Sequence, residues 1–282
     1  MSERFVVIGA GTMGTGIGYV AAGAGYQVEI VEVDPSRAES AQWTLHNLWD
    51  KAVERGRMSA AEADAARTRV CFQTDVAQLA EGPDVVVEAV PERVDLKRRV
   101  LAAAEARRPA LLASNTSSIS IGTLAEPLAA PERFLGLHFF NPVWSMALLE
   151  IVVGAATSEA TVAAARTLAA RLGKDPIVVK DMPGFATSRL GVALGLEAIR
   201  MVEDGVASAE DIDKAMKLGY RHPMGPLELS DLVGLDVRLD IARTLAAAYG
   251  ERFTPPRLLE EMVAAGKLGR KSGEGFYRWE MR

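Results

Sequence analysis

A single cysteine, Cys71, occurs in 282 residues. One thiol cannot close an intrachain disulfide or furnish a multi-thiolate metal site, so a reducing compartment is the expected setting. Histidine is almost as scarce, with only His46, His138 and His222. Neither charge sign dominates: 32 basic residues face 37 acidic ones, for a net charge of −5. No basic stripe runs through the chain, which gives no reason to expect nucleic acid, and a polyanionic ligand would need Arg or Lys gathered locally. Long apolar runs are missing too. Charge or glycine interrupts each well short of a membrane span, and the opening "MSERFVVIGAG" enters a strand without the apolar core of a signal peptide. The expectation is a soluble, cytoplasmic protein with neither nucleic acid nor membrane as partner.

What is present is a pattern of alternation. Apolar strand-like runs at 4–8, 27–33, 84–90, 110–115, 133–138, 147–153 and 176–180 are separated by helical stretches that include 13–24, 96–106 and 159–172. Continuous Val/Ile/Leu strands between helices predict an α/β fold with a mostly parallel sheet covered on both faces. After "DMPGF" (181–185) the strands stop and the pattern becomes helical. The Pro183-Gly184 pair therefore divides a Rossmann-type domain, 1–183, from an all-helical domain, 184–282. Residues 36–68 exceed what a crossover needs. Gly56 ends a first helix there and Ser59 caps a second, which predicts a helical-hairpin insertion, or else a longer packing element.

The run "VVIGAGTMG" sets Gly9, Gly11 and Gly14 in G-x-G-x-x-G spacing between a strand and a helix. The first glycine permits a tight turn, the second lets backbone approach a pyrophosphate, and the third lets helix and strand pack closely. With Thr12 and Met13 they form a candidate dinucleotide cradle at a helix N-terminus. Glu32, 21 residues beyond Gly11, suits the adenine ribose diol and favours NAD over NADP, with Asp34 as the fallback if the strand runs further.

Hydride transfer from an alcohol needs a base for the hydroxyl proton and donors for the developing carbonyl oxygen. Imidazole suits the base because it titrates near working pH. A carboxylate on its other nitrogen fixes the tautomer and stabilises the imidazolium. His138 ends the run "RFLGLH" and Glu150 interrupts "ALLEIVV". A charge inside an apolar strand is costly unless paired, which is the reason to join the two. The stretch "SNTSSIS" (114–120) follows another strand at the same sheet edge, so Asn115 and Ser117 are donors to cofactor or substrate, or else an Asx/Ser turn capping the next helix.

Taken in order, "GAGTMG", "EAVPERVDLK", "SNTSSISI", "GLHFFNP", "MALLEIV", "DMPGF", "HPMGPLELSDLVGLD" and "GRKSGEGFY" resemble the monofunctional 3-hydroxyacyl-CoA dehydrogenases, including the bacterial 3-hydroxybutyryl-CoA dehydrogenases. The match is collinear from Val6 to Tyr277. The resemblance implies a helical C-terminal domain that dimerises and NAD-linked interconversion of an L-3-hydroxyacyl-CoA and its 3-keto form in fatty acid metabolism. It implies His138 as base, Glu150 as its partner, and Ser117 and Asn141 near the reacting oxygen and nicotinamide. Glu92, Lys97 and Lys271 match cofactor contacts, and Arg55 matches a basic residue of the helical arm that meets coenzyme A, with Lys51 and Arg57 available to the same phosphates. Three departures stand out. Ser188, a catalytic candidate as an alternative to Asn141 in donating to the substrate oxygen, occupies the active-site asparagine position of a G-F-x-x-N-R pattern. Leu48 stands where relatives have serine, and Trp144 falls where small residues are common. They leave open another β-hydroxy substrate: a carrier-protein thioester, a dicarboxylic or branched acyl-CoA, or a free acid. A non-catalytic dinucleotide-binding dimer is the remaining alternative, against which the joint presence of Ser117, His138 and Glu150 argues.

Overall fold

The computed structural model describes residues 3–280. The chain divides into two compact units, one running to Met182 and the other starting at Pro183. The first contains, in order, β1 (Arg4–Ile8), α1 (Thr12–Gly23), β2 (Gln27–Val31), α2 (Pro35–Glu54), α3 (Ala60–Thr68), β3 (Val70–Gln73), β4 (Val85–Glu88), α4 (Val94–Glu105), β5 (Leu111–Ser114), α5 (Ile121–Ala125), β6 (Phe134–Phe139), β7 (Leu148–Val153), α6 (Glu159–Arg171) and β8 (Asp175–Lys180). The strands form one eight-stranded sheet in the order β3-β2-β1-β4-β5-β6-β7-β8, parallel except where β6 meets β7. β1, β4, β5 and β6 are buried almost throughout, as expected for strands covered on both faces. Burying a side chain such as Phe134 or Leu149 contributes about 1.5–3 kcal/mol.

Two details differ from the sequence-based expectation. β2 ends at Val31 rather than 33, so Glu32 lies just past the strand. β3 was not anticipated: it is a four-residue edge strand, "VCFQ", with no fully buried residue. The insertion packs along α1. Its helix α2 buries Ala41, Leu45, Trp49 and Ala52, one stripe at helical spacing, while Trp43 on another face is 71% exposed. Asp34 caps α2 through the Ser36 amide, and Ser59 with Glu62 forms a full capping box on α3.

The second unit contains α7 (Thr187–Glu203), α8 (Ala209–Gly219), α9 (Pro226–Val233), α10 (Leu235–Tyr249) and α11 (Arg257–Ala264) around a core that includes Val192, Leu196, Leu227, Leu239 and Leu245. Two buried aspartates hold its tail. Asp231 accepts from the amides of Phe276 and Tyr277 and from the Trp279 indole at 2.9–3.0 Å. Asp213 accepts from the Leu227 and Glu228 amides, both at 2.8 Å, and from the Tyr277 hydroxyl at 2.7 Å. Burial and the neighbouring Asp213 raise the Tyr277 pKa. Much of "HPMGPLELSDLVGLD" and "GEGFY" is thus accounted for by structure.

Candidate active site

The strand order reverses at β1, whose neighbours are β2 on one side and β4 on the other. A crevice opens at the carboxyl edge where the order reverses. Gly9 turns the chain there at φ +105°, and a side chain on it would come within 2.8 Å of the Ala89 carbonyl. A Cβ on Gly14 would lie 1.8 Å from the Gly9 carbonyl, so helix and turn touch directly. Gly11 is different. Its missing Cβ would meet nothing within 4 Å, because it faces a crevice of about 640 Å³ shared with Thr12, Met13 and Glu32. α1 starts without a side-chain cap and without an acid in its first turn, so its amides and positive dipole end suit an anionic ligand. Glu32 is buried at the same crevice, where its two oxygens accept the Ala10 and Asp34 amides at 3.0 and 3.1 Å. A carboxylate has about four lone-pair sites, so each oxygen retains one for a ligand hydroxyl. Asp34, the fallback, caps α2 and does not line this crevice.

Met13, Ala89 and Val90 also border a second cleft, of about 380 Å³, lined by Glu92, Lys97, Asn115, Ser117, His138 and Asn141. Here the register of the antiparallel pair matters. His138 on β6 is directly opposite Glu150 on β7, and its Nδ1 is 2.7 Å from Glu150 Oε2. Residues twelve apart in sequence become cross-strand neighbours on one face. Glu150 is fully buried and His138 is 7% exposed, so the pair is largely shielded from water. The Phe140 ring lies 4.4 Å from the imidazole, centroid to centroid. Asn115 Oδ1 accepts the Phe139 amide at 2.9 Å, which ties the end of β5 to the residue beside His138.

Behind Ser117 lies a charge array whose pivot, Glu88, escaped the sequence reading. Glu88 and Lys97 are buried to 0 and 1% exposure and paired at 2.7 Å, and Lys97 also reaches Glu92 at 3.2 Å. Burial raises the Glu88 pKa, opposed by Lys97 and by the Ser114 hydroxyl. Burial acts on Glu92 in the same direction, but the Lys97 charge and hydrogen bonds from Thr116 and Ser117 outweigh it and hold its pKa low.

Comparison with known proteins shows the family of the chain. The family model for the NAD binding domain of 3-hydroxyacyl-CoA dehydrogenase matches residues 4–182, and the model for the C-terminal domain of the same family matches 184–279. The chain belongs to the 3-hydroxyacyl-CoA dehydrogenase family. It is 40% identical to a probable 3-hydroxybutyryl-CoA dehydrogenase of Bacillus subtilis, over 99% of this chain and 98% of that one. It is also 40% identical to the 3-hydroxyadipyl-CoA dehydrogenase of Escherichia coli, with 98% of this chain matching 59% of that protein. The crystal structure of (S)-3-hydroxybutyryl-CoA dehydrogenase from Ralstonia eutropha superposes with a TM-score of 0.95 at 38% identity, covering 100% of both chains. The protein is accordingly an oxidoreductase of the 3-hydroxyacyl-CoA dehydrogenase family, and NAD is its cofactor. Among the described residues no helix is long and apolar enough to cross a membrane.

Within this dehydrogenase frame the insertion borders a further pocket, of about 370 Å³, between α1 and the end of α2. Lys51, Arg55 and Arg57 line it with Tyr19, Leu48 and Trp144, and no acid does. Trp144 is 37% exposed, packs edge-on against Tyr19 at 6.2 Å, and also borders the space beside Gly11 and Thr12. Gly16 makes this approach possible, since a Cβ there would lie 2.8 Å from Val143. Lys174, 8% exposed, fixes the same turn by donating to the Val143 and Met146 carbonyls, and burial lowers its pKa. Ser188 and Lys271 belong to the second unit. Ser188 is the second residue of α7, and Lys271 pairs with Asp236 at 2.5 Å.

Proposed function

We propose that the protein interconverts an L-3-hydroxyacyl-CoA and the 3-ketoacyl-CoA, with His138 as general base and acid and Glu150 as its partner. The observation that carries this reading is the 2.7 Å contact between His138 Nδ1 and Glu150 in a cleft that also holds Ser117 and Asn141. With the carboxylate ionised, the proton of neutral imidazole sits on Nδ1 and Nε2 is the acceptor. In the oxidative direction the substrate hydroxyl proton passes to Nε2, and Glu150 stabilises the resulting imidazolium. In the reverse direction the same nitrogen returns the proton. Ser117 and Asn141 donate to the substrate oxygen as its charge changes. Bound NAD supplies the hydride acceptor, and in its reduced form the donor. The turn Gly9, Gly11, Thr12, Met13 and Gly14 would hold its pyrophosphate, Glu32 its adenosine ribose, and Asn115 would meet its nicotinamide end.

Lys51, Arg55 and Arg57 take the phosphates of coenzyme A. A second acyl preference is favoured by one feature: Trp144 narrows the approach beside Leu48, where a small residue would leave it open. The relative named for 3-hydroxyadipyl-CoA shows that 40% identity does not fix the acyl group. The C-terminal unit serves as the homodimer face, which is supported by exposed Leu190 and Leu194 on α7, Leu229 and Val233 on α9, and Val237 on α10. The single, exposed Cys71 suits a reducing cytoplasm.

The test is NADH consumption with acetoacetyl-CoA, acetoacetyl-pantetheine and free acetoacetate, alongside His138→Ala. Turnover is expected with the CoA thioester, and the variant should lose about 10²- to 10⁴-fold in kcat with NADH affinity nearly unchanged. Turnover of the free acid alone would remove the coenzyme A assignment. Loss of NADH binding in the variant would make His138 structural.

A further inference from the structure

The charge array behind Ser117 has no task in the proton chemistry, yet its central pair, Glu88 and Lys97, is almost wholly buried. Glu88, at the end of β4, accepts the Val90 amide (2.7 Å) and the Ser114 hydroxyl (2.6 Å), as well as Lys97. Lys97, one turn into α4, donates in addition to the Val90 carbonyl at 3.1 Å. Glu92 then gathers the loop after β5. Its Oε1 accepts from the Thr116 hydroxyl (2.5 Å), the Ser117 amide (2.9 Å), and the Ser118 amide and hydroxyl (both 3.1 Å). The Thr116 amide returns to the Ser114 hydroxyl at 3.3 Å, which closes the ring. From the other side Asn115 holds the Phe139 amide. The loop that carries Ser117 is therefore fixed at both ends, to β4 and α4 through charge and to β6 beside His138.

We propose that Glu88, Lys97, Glu92 and Thr116 form a latch whose work is positional: it sets Ser117 against His138. This rests on the reading of those two residues given above. Replacing a buried ionic array by apolar groups is often neutral for stability, so stability does not account for it. A fully satisfied polar network does specify a unique geometry, and catalytic groups need that geometry held closely. The resemblance implies that Glu92 and Lys97 touch the cofactor, and both line the cleft. The four loop donors on a single oxygen of Glu92, and the Glu88–Lys97 pair behind it, add the positional role.

Thr116 distinguishes the two roles, because it is fully buried behind the loop and does not line the cleft. For Thr116→Val, a displaced Ser117 should lower kcat for acetoacetyl-CoA reduction about tenfold or more. The NADH dissociation constant, read by nicotinamide fluorescence, and both KM values should stay within about twofold. Thr116→Ser keeps the hydroxyl and should restore most of the rate. Glu88→Gln should reproduce the loss of kcat. Ser118→Ala removes one donor from the half-exposed side of the loop, so it keeps the test open should a buried variant fail to fold. Its kcat should also fall at constant NADH affinity. If the folded variants keep kcat within about twofold of the parent, the latch is overturned. If NADH affinity falls in step with kcat, direct contact with the cofactor replaces it. His138→Ala in the same assay separates the underlying reading, since turnover retained there would overturn the base assignment whatever the loop variants do.

Discussion

In the proposed reaction Glu150 is the partner of the base, and it illustrates what an isosteric change can separate. It is fully buried, faces His138 across the β6–β7 pair, and meets Nδ1 at 2.7 Å. Glu150→Gln keeps the volume and one hydrogen bond but removes the charge that stabilises imidazolium, and the amide can select the wrong tautomer. The expected outcome is a fall in kcat of about 10²-fold or more, with NADH affinity and the melting temperature little changed. Steady-state kinetics beside a fluorescence titration check it. A melting temperature that collapses with activity would mean that Glu150 serves β7 rather than the imidazole. The two residues were legible in the sequence as a histidine ending one apolar run and an acid inside the next. Their spacing of twelve carried no geometry until the antiparallel register set them opposite each other.

At the scale of elements, legibility followed periodicity and capping chemistry. Ser59 was readable as a cap because it precedes a helical stretch, and the structure adds the reciprocal bond, in which the Ser59 amide donates to the Glu62 carboxylate at 2.8 Å. Ser59→Ala removes one half of that box and should cost about 0.5–2 kcal/mol, read as a lower urea midpoint with an unchanged slope. A midpoint that does not move would mean that α3 does not depend on its cap. β3 was illegible for a converse reason. A short edge strand, half exposed, with Cys71 and Gln73 among its four residues, shows neither a buried run nor a clean alternation. Glu88 was hidden differently: "DVVVEAV" reads as a single strand, and nothing in it announces that its acid meets Lys97 nine residues on. That pairing exists only because the chain turns after β4 and brings α4 back over it. A resemblance can name Lys97 and Glu92, but the shared bonding that makes them a unit is a property of three dimensions.

For the whole molecule, charge sets the problem that the proposed coenzyme A pocket of the insertion would solve. With a net charge of −5 the long-range field opposes a ligand that carries several phosphates. Under the proposed function, binding of a CoA thioester depends on a local reversal of sign, and the pocket of Lys51, Arg55 and Arg57, without an acid in its lining, is such a place. All three cations are exposed, so their attraction is screened by salt, with a Debye length of about 8 Å at physiological ionic strength and about 3 Å at 1 M. The KM for acetoacetyl-CoA should therefore rise severalfold between about 0.05 M and about 0.5 M salt. The KM for acetoacetyl-pantetheine, which lacks the nucleotide phosphates, should stay nearly flat. The double variant Arg55→Ala, Arg57→Ala should raise the first KM at low salt, reduce its salt dependence and leave kcat in place, because neither residue lines the cleft of His138. Equal salt dependence for the two thioesters would place the nucleotide elsewhere and leave the cations of the insertion without a ligand.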